Sequence, residues 1–308
     1  REPSLDGTLE APRAQAASGP RPSEPVSARQ SLQLIARACV QQIQAYEPRL
    51  RRSRSPEALH QIRVALRRWR TALLVFGDAS GLSQGRTRAT LKWLARELNE
   101  ARDLDVFAAA MEPHKGEDQG AQSLWTALEA SRADAYARAD EALQSDRLRR
   151  LLWRTAHAAR AGEDDSPPAR QVAAKALERR WKRIKKRGPR IARLGAEDRH
   201  DLRIQAKKVR YAAELCADLF GHPRRQARMA RALRRMQDSL GALNDLAVGE
   251  TIALKLARKT GTPDAAFAAG RLAGTRASQQ EPAVLKEARS AYDDFAVAPR
   301  FWAGGRGA

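Results

Sequence analysis

One stretch of the chain, residues 60–76, combines an apolar helical face with a row of cations. At about 100° of rotation per residue in an α-helix, a wedge roughly 80° wide contains His60, Arg63, Arg67 and Arg70. The neighbouring face carries the apolar side chains Ile62, Ala65, Leu66, Trp69, Leu73 and Phe76. Because the cations border the apolar face and are not spread over the far side, the pattern predicts a groove lined with positive charge.

The same polar pattern returns 140 residues later in the chain. Its members are His200, Arg203, Lys207 and Arg210, with Lys208 in the place of Arg68. Further matches stand 142 residues apart, and they pair Leu91 with Leu233, Lys92 with Arg234, and Asp103 with Asp245. Two copies of a unit of several helices explain both sets of matches. Pseudo-twofold packing of these copies would bring the two cationic wedges together.

The composition favours helices throughout. The chain of 308 residues is rich in Ala, Leu and Arg, and only 5% of its residues are aromatic. We therefore predict an all-α fold of two pseudo-symmetric helical bundles, arising from an internal duplication and packed around a basic central groove or pore. The predicted helices cover 27–46, 56–76, 86–100, 117–144, 147–161 and 169–187, and another follows Asp198 as its N-cap.

Three local signals set the predicted helix boundaries in the first half. Pro48 and the basic cluster after it are predicted to close the first helix. Ser55 is an N-cap candidate, followed by a proline at the first helical position. Asp103 is predicted to restart a helix after a break, as an N-cap or as a partner for arginine, and Asp245 takes the same structural role in the second copy.

The domain organisation follows from composition. Residues 1–26 are rich in Pro, Ser, Ala and Gly, which predicts a disordered tail or linker. The helical domain covers 27–302, with repeat 1 at about 27–161, a linker at 162–168 and repeat 2 at about 169–302, and residues 303–308 form a second disordered tail. The chain starts at Arg1, so it is either a piece of a longer protein or a processed product.

The charge points to a polyanionic partner. Lys and Arg number 57 against 36 Asp and Glu, which gives a net charge of +21, and such self-repulsion favours binding of anions. Seven of the nine residues in 179–187 are cationic and none is acidic. Within this segment Lys182 and Lys186 are candidates for anion contact.

Cysteine and hydropathy patterns limit the compartment. Cys39 and Cys216 lie in apolar helical surroundings and are predicted to be small core residues, without a disulfide. No run of about 18 apolar residues predicts a membrane span. We expect a soluble protein of the cytoplasm.

The tryptophans 69, 93 and 153 are predicted to belong to the core.

Four ordered motifs carry a family resemblance. The segments HQIRVALRRWR, LARELNEARDLDV, HDLRIQAKKVRYAAEL and MQDSLGALNDLAV together resemble the CHAD family, the conserved histidine α-helical domain, across about residues 27–302. The resemblance implies two pseudo-symmetric helical bundles that bind inorganic polyphosphate, often at polyphosphate granules, without catalysis. It also implies a CYTH-type domain or protein as a partner. Asn99 departs from the family, which often has Gly before the Arg-Asp motif.

The candidate binding residues combine the two wedges with further cations. The expected polyphosphate-binding set is His60, Arg63, Arg67, Arg70, His200, Arg203, Lys207, Arg210, Lys92, Arg234, Lys182 and Lys186. A secondary set consists of Arg68, Lys208, Arg96, Arg179, Arg183 and Arg190. Arginine offers a planar fork of donors and lysine a point charge, so both suit phosphate oxygens. We expect no metal and no cofactor, and the oligomeric state stays open.

Two other functions fit parts of the sequence. Sequence-nonspecific binding of nucleic acid would use the same charge, although the aromatic residues form no stacking platform at regular spacing. His200 and Asp201 resemble the metal-binding pair of HD-type phosphohydrolases. The remaining histidines stand at no spacing typical of metal ligands, so hydrolysis is the weaker alternative.

Overall fold

The computed structural model describes residues 20–23, 25–80, 84–157 and 164–303. Only the backbone is described at 190, 192, 193, 196, 242–248 and 272–284. Within these ranges the chain forms nine α-helices and three short 3-10 helices, and no strand. The fold is therefore all-α, as predicted.

The helices follow one another with short connections. They are α1 (Ala28–Ser53), α2 (Pro56–Phe76), α3 (Gly85–Met111), α4 (Gln119–Gln144), α5 (Asp146–His157), α6 (Ala169–Arg187), α7 (Ala196–Leu215), α8 (Pro223–Thr260) and α9 (Pro263–Val297). The 3-10 helices are Glu112–His114, Gly188–Arg193 and Ala217–Leu219. The predicted duplication would pair α2 with α7 and α3 with α8, which are the helices that carry the matched residues.

Capping residues fix the starts of the first two helices. Ser27 forms a capping box with Gln30 at the beginning of α1, which satisfies two backbone donors that have no partner within the helix. Ser55 accepts a hydrogen bond from the Ala58 amide at the start of α2, and Pro56 follows it. The predicted signal at Ser55 is confirmed, and α2 ends at Phe76 next to Gly77, also as predicted.

Three predicted helix boundaries are wrong. α1 continues through Pro48 to Ser53, because a proline costs the helix one amide donor but need not end it. α3 runs unbroken past Asp103 to Met111, so that residue caps nothing. Gly195 is the N-cap of α7, and Asp198 lies in the first turn, where a carboxylate is favourable to the helix dipole.

Equivalent positions of the two halves meet where α1 and α6 begin. The Ala28 amide donates to the Pro167 carbonyl at 2.9 Å, and the Ala169 amide donates to the Val26 carbonyl at 2.9 Å. Each of these donors and acceptors stands 141 positions from its counterpart in the other half. The exchange of hydrogen bonds is therefore symmetric about the seam between the halves, which agrees with the predicted duplication.

The core is shared by both halves. Apolar side chains from all nine α-helices form one cluster, in which Trp69, Cys39 and Cys216 are buried. Trp93 is partly buried against the same cluster. The prediction for Trp153 is wrong, since its side chain is 63% exposed and stacks on His157, with ring centroids 4.7 Å apart.

A buried arginine joins the two halves at the end of α2. Arg180 of α6 is only 7% exposed, and it donates to the Leu74 carbonyl and to the Ala176 carbonyl, each at 2.9 Å. The Leu74 carbonyl lies in the last turn of α2, where carbonyl oxygens lack partners within the helix. Burial lowers the pKa of Arg180 to about 10. Arg180, one of the seven cations of 179–187, thus stabilises the core.

Replacing Arg180 should destabilise the fold, because its side chain is buried in the core. In the variant Arg180→Ala we expect the free energy of unfolding to fall by about 2 kcal/mol, because two charge-assisted hydrogen bonds are lost inside the core. The neighbouring exposed Arg179→Ala is the control, with an expected change within about 0.5 kcal/mol. Urea denaturation of both variants measures the difference, and equal midpoints would contradict this role for Arg180.

Within the described residues, none of the helices has the length and apolar character required to cross a bilayer. This finding agrees with the absence of a membrane span predicted from the sequence.

Candidate functional site

A basic pocket of about 390 Å³ opens between α2 and α7. Its lining contains five arginines and one carboxylate: Arg21, Arg67, Arg68, Arg210 and Arg234, with Glu214. The remaining lining residues are Val64, Thr71, Tyr211 and Leu215. The pocket takes arginines from both halves of the chain, since α2 belongs to the first and α7 and α8 to the second.

Tyr211 is the point where the two halves meet in this basic pocket. Arg67 of α2 lies over the Tyr211 ring at 4.3 Å from its centroid, and it donates to the tyrosine hydroxyl at 3.3 Å. Arg210 of α7 lies 4.9 Å from the centroid of the same ring. Contacts of a cation with an aromatic face hold the guanidinium groups in fixed positions. The predicted approach of the two wedges is therefore realised at Arg67 and Arg210.

Arg210 keeps donor capacity for a ligand. Its Nε is buried and has no hydrogen-bond partner among the described residues, and the nearest carboxylate, Glu214, lies 3.6 Å from it. A buried donor without a partner costs free energy. An anion that entered the pocket would remove that cost.

His60 and Arg63 extend the positive surface along α2. Arg63 donates to the Asn99 side chain at 2.5 Å and to the Leu98 carbonyl at 3.3 Å. Burial lowers the pKa of His60, and the neighbouring Arg102, Arg67 and Arg63 lower it further against the opposite effect of Glu57. The unliganded imidazole therefore favours its neutral form.

The two acids of the Arg-Asp-Leu-Asp motif have different roles. Asp103 is exposed and partly offsets the lowering of the Arg63 pKa that burial causes, so it acts as an electrostatic partner of arginine. Asp105 is buried and accepts hydrogen bonds from Arg132 at 2.9 Å and from the Tyr136 hydroxyl at 2.8 Å. The residue that supports the core is therefore Asp105, which the sequence analysis did not single out.

The remaining predicted residues of the two wedges and their flanks, except Arg68, are not among the described residues that line the pocket. Arg203 and Lys207 are half-buried on α7, while His200 and Lys208 are exposed. Arg70 and Lys92 are exposed on α2 and α3. Arg68, which the helical wheel places away from the wedge, lines the pocket. The side chains of Arg190 and Asp245 lie outside the described residues.

The predicted cations of α6 face elsewhere. Arg179, Lys182, Arg183 and Lys186 are exposed, and none of them lines the basic pocket. Lys182 approaches Glu178 at 3.8 Å within its own helix. The structure thus divides the predicted set into a pocket shared by α2, α7 and α8 and a separate basic surface on α6.

A larger cavity, of about 930 Å³, lies between α3, α4 and α8. Among the described residues, its lining carries the three acids Glu100, Asp103 and Asp134 together with five cations, which are Arg96, Arg138, Lys255, Arg258 and Lys259. Glu100 pairs with Arg138 at 2.7 Å and with Lys255 at 3.2 Å. Carboxylates in the wall of this larger cavity would repel a polyanion. The basic pocket is therefore the better candidate for phosphate binding, although it is the smaller of the two.

A metal site is not formed by the part of the chain that the structure describes. No group of three or more His, Cys, Asp or Glu side chains comes together there. Asp201, the second residue of the HD-like pair, lies 3.5 Å from Arg187 in an ion pair.

Among the pocket residues that the sequence analysis did not single out, Tyr211 and Arg21 bear most directly on anion binding. Tyr211 follows Arg210 directly in the second wedge, and an aromatic residue beside a cationic row could have signalled a cation–π contact. Arg21 lies in the segment predicted to be a tail, and no periodicity marks it. It is placed at the pocket by its ion pair with Asp218 and by the hydrogen bond that Arg68 donates to the neighbouring Pro20 carbonyl, and both partners come from distant parts of the chain.

Comparisons with known proteins assign the fold. The CHAD domain family model matches residues 34–254. The CHAD domain from the plant Ricinus communis is similar, with a TM-score of 0.76 and 27% identity over 90% of this chain and 95% of that one. The structure of PptA from Streptomyces chartreusis has a TM-score of 0.58 and 19% identity, covering 89% of this chain and 99% of that one. No curated protein matches. The chain belongs to the CHAD domain family.

Proposed function

We propose that this protein binds inorganic polyphosphate, without hydrolysing it, in the basic pocket between α2 and α7. The observation that carries the proposal is the meeting of Arg67 and Arg210, one from each half, around Tyr211. Their guanidinium groups are held in place before any ligand arrives, which reduces the entropy lost on binding. Among the described residues, Glu214 is the one carboxylate in the lining of this pocket.

The shape of the positive surface suits a linear phosphate chain. His60, Arg63 and Arg67 follow one another along α2, and the ten steps from residue 60 to residue 70 span about 15 Å of helix axis. A chain of phosphates carries charge at short, regular intervals, so several cations along one line can each contact a different phosphate. Membership of the CHAD family supports the same ligand. Recruitment to polyphosphate granules would follow from this binding.

The proposal is tested by competition. Labelled long-chain polyphosphate is bound at physiological salt, and unlabelled DNA or RNA is added at equal phosphate concentration. We expect little displacement by nucleic acid and complete displacement by polyphosphate. Displacement by short DNA or RNA would support the alternative, sequence-nonspecific binding of nucleic acid, for which the exposed cations of α6 would suffice.

The same sample tests the absence of catalysis. We expect no orthophosphate to be released from polyphosphate over hours, either without added metal or with Mg²⁺ or Mn²⁺. Release that depends on His200 and Asp201 would instead support the metal-dependent phosphohydrolase alternative.

The position of His60 predicts that binding depends on pH. The pKa of the free imidazole is lowered by burial and by nearby cations, and a bound phosphate chain would raise it. A histidine with a higher pKa in the complex takes up a proton on binding. Affinity should therefore rise as the pH falls from about 8 to about 6, by roughly threefold to tenfold, since one pKa unit corresponds to a factor of about ten.

Calorimetric titrations across this pH range measure the effect. The double variant His60→Ala, His200→Ala gives the baseline, because the terminal phosphates of the ligand also titrate. The single variants separate the two histidines, and His60→Ala should account for most of the loss. An unchanged pH dependence in the double variant would rule out this role for the histidines.

A further inference from the structure

The segment ahead of α1 lies against the basic pocket. Pro20 accepts a hydrogen bond from Arg68 at 3.0 Å through its carbonyl oxygen. Arg21 lines the pocket together with Arg67, Arg210 and Arg234. Pro22, next to it, is buried. Arg21, which lies in the segment that the sequence predicts to be a tail, thus forms part of the pocket wall.

Contacts on both sides of the pocket hold this segment. Arg21 approaches Asp218 at 3.6 Å, and Asp218 follows α7 in the second half of the chain. Arg68, which binds the Pro20 carbonyl, belongs to α2 in the first half. Residues 20–21 therefore connect the two halves next to the pocket.

The chain just ahead of α1 is fixed to the helical domain. The Val26 carbonyl accepts from the Ala169 amide, and the Val26 side chain packs against the core. The hydroxyl of Ser27 donates to Asp164. These contacts bring the start of α1 to a defined place, from which residues 20–23 reach the pocket.

The charge around Arg21 favours an anionic ligand. Its ion pair with Asp218 is partly exposed, since 41% of the Arg21 side chain and 50% of the Asp218 side chain are accessible. An exposed pair of this kind contributes little free energy and is readily exchanged for another anion. Arg21 and Arg67 lower the pKa of Arg68 in addition to the effect of its burial. A phosphate chain in the pocket would relieve this repulsion.

We propose that Arg21 is a polyphosphate-binding residue, supplied by the segment that precedes the helical domain. This inference rests on the proposed function, and it extends the site beyond residues 34–254, which the family model matches. On binding, the guanidinium of Arg21 exchanges Asp218 for phosphate oxygens. Arg68, whose guanidinium donates to the Pro20 carbonyl, also lines the pocket.

The test uses the full chain and point variants. In Arg21→Ala the dissociation constant for long-chain polyphosphate should rise by about fivefold at low salt, as expected for the loss of one partly exposed charge-assisted contact. The slope of log affinity against log salt concentration should fall by about one, the change expected when one phosphate contact is lost. Arg21→Lys should keep most of that slope, because the charge stays.

Arg52→Ala is the matched control. Arg52 is exposed in the last turn of α1 and does not line the pocket, so its removal lowers the net charge equally without changing the site. We expect the affinity of this variant to stay within about twofold of the wild-type affinity. The slope of log affinity against log salt concentration should differ from the wild-type slope by no more than a few tenths. Asp218→Asn releases Arg21 from its ion pair and should keep or increase the affinity.

The outcomes separate this inference from the proposed function. If the wild-type protein does not bind polyphosphate, the proposed function itself fails. If the wild type binds and Arg21→Ala has the same affinity and salt slope as Arg52→Ala, the role of Arg21 is refuted while the function stands. Tighter binding by Arg21→Ala would also refute it, because the segment would then compete with the ligand.

Discussion

The double variant Arg67→Glu, Arg210→Glu is expected to weaken polyphosphate binding by at least about 100-fold. Each arginine offers charge-assisted hydrogen bonds that contribute about 1.5–3 kcal/mol, and about 1.4 kcal/mol corresponds to a factor of ten in affinity. Two such contacts therefore account for a factor of about 100, to which the introduced carboxylates add repulsion. Fluorescence anisotropy with labelled polyphosphate measures the loss.

The control for this variant carries the same change in net charge. Arg49→Glu, Arg52→Glu places two acids on the exposed end of α1, outside the pocket. If only the net positive charge matters, the two double variants will lose affinity equally, which would contradict a specific pocket. Circular dichroism must show both variants to be folded.

The variant Tyr211→Phe removes the hydroxyl that accepts from Arg67 and keeps the ring that Arg67 lies over, so it separates the contributions of these two contacts.

Replacement of Asp105 by alanine is expected to reduce the free energy of unfolding by about 3 kcal/mol, because two nitrogens of Arg132 and the Tyr136 hydroxyl lose a buried acceptor, while Glu129 keeps its ion pair with Arg132 at 2.7 Å. Asp105 accepts from Arg132 through two nitrogens, at 3.2 Å and 2.9 Å, and from the Tyr136 hydroxyl at 2.8 Å. Burial and this carboxylate raise the pKa of the Tyr136 hydroxyl. Chemical denaturation measures the loss of stability.

Two further variants make this result specific. Asp105→Asn keeps an acceptor of the same shape and should lose less than Asp105→Ala. Asp134→Ala removes an exposed partner of Lys259, 3.9 Å away, and should change stability by less than about 1 kcal/mol. The folded fraction of Asp105→Ala should bind polyphosphate as the wild type does. A stability equal to that of Asp134→Ala would show that the buried network contributes little.

Periodicity predicted the helix that carries the site but not every residue that lines it. His60, Arg63 and Arg67 do lie on one side of α2, since the spacing of residues on a helix is fixed by its geometry. The wheel excluded Arg68, yet its side chain reaches the pocket. A wheel treats each residue as a point, whereas an arginine side chain extends far from its Cα atom and can bend toward a neighbouring element.

The packing of whole helices against the core determined where helices end more strongly than single residues that are typical of helix boundaries. Pro48 and the motif around Asp103 were each interpreted as a boundary, but α1 and α3 continue through them. Long apolar faces packed against the core outweigh the cost of one missing amide donor or one unfavourable residue. Trp153 was predicted to be buried from its residue type alone, whereas the helical wheel places it on the side of α5 opposite to the buried Leu148 and Leu151.

Long-range contacts account for the features that the sequence could not predict. The place of Tyr211 between Arg67 and Arg210 depends on how α7 packs against α2, and that of Arg21 depends on Asp218, nearly 200 positions away in the chain. The repeat predicted that the two wedges approach each other. Which residue of each wedge meets the other half could be determined only from the structure.

The account is tested most directly by the structure of the protein with a polyphosphate chain bound. We predict phosphate oxygens within hydrogen-bond distance of both Arg67 and Arg210, with the chain passing Tyr211 and continuing along α2 toward Arg63 and His60. Arg21 should contact the same chain. A chain bound instead to the exposed cations of α6, with the pocket between α2 and α7 empty, would contradict the central claim that both halves of the domain share one binding site.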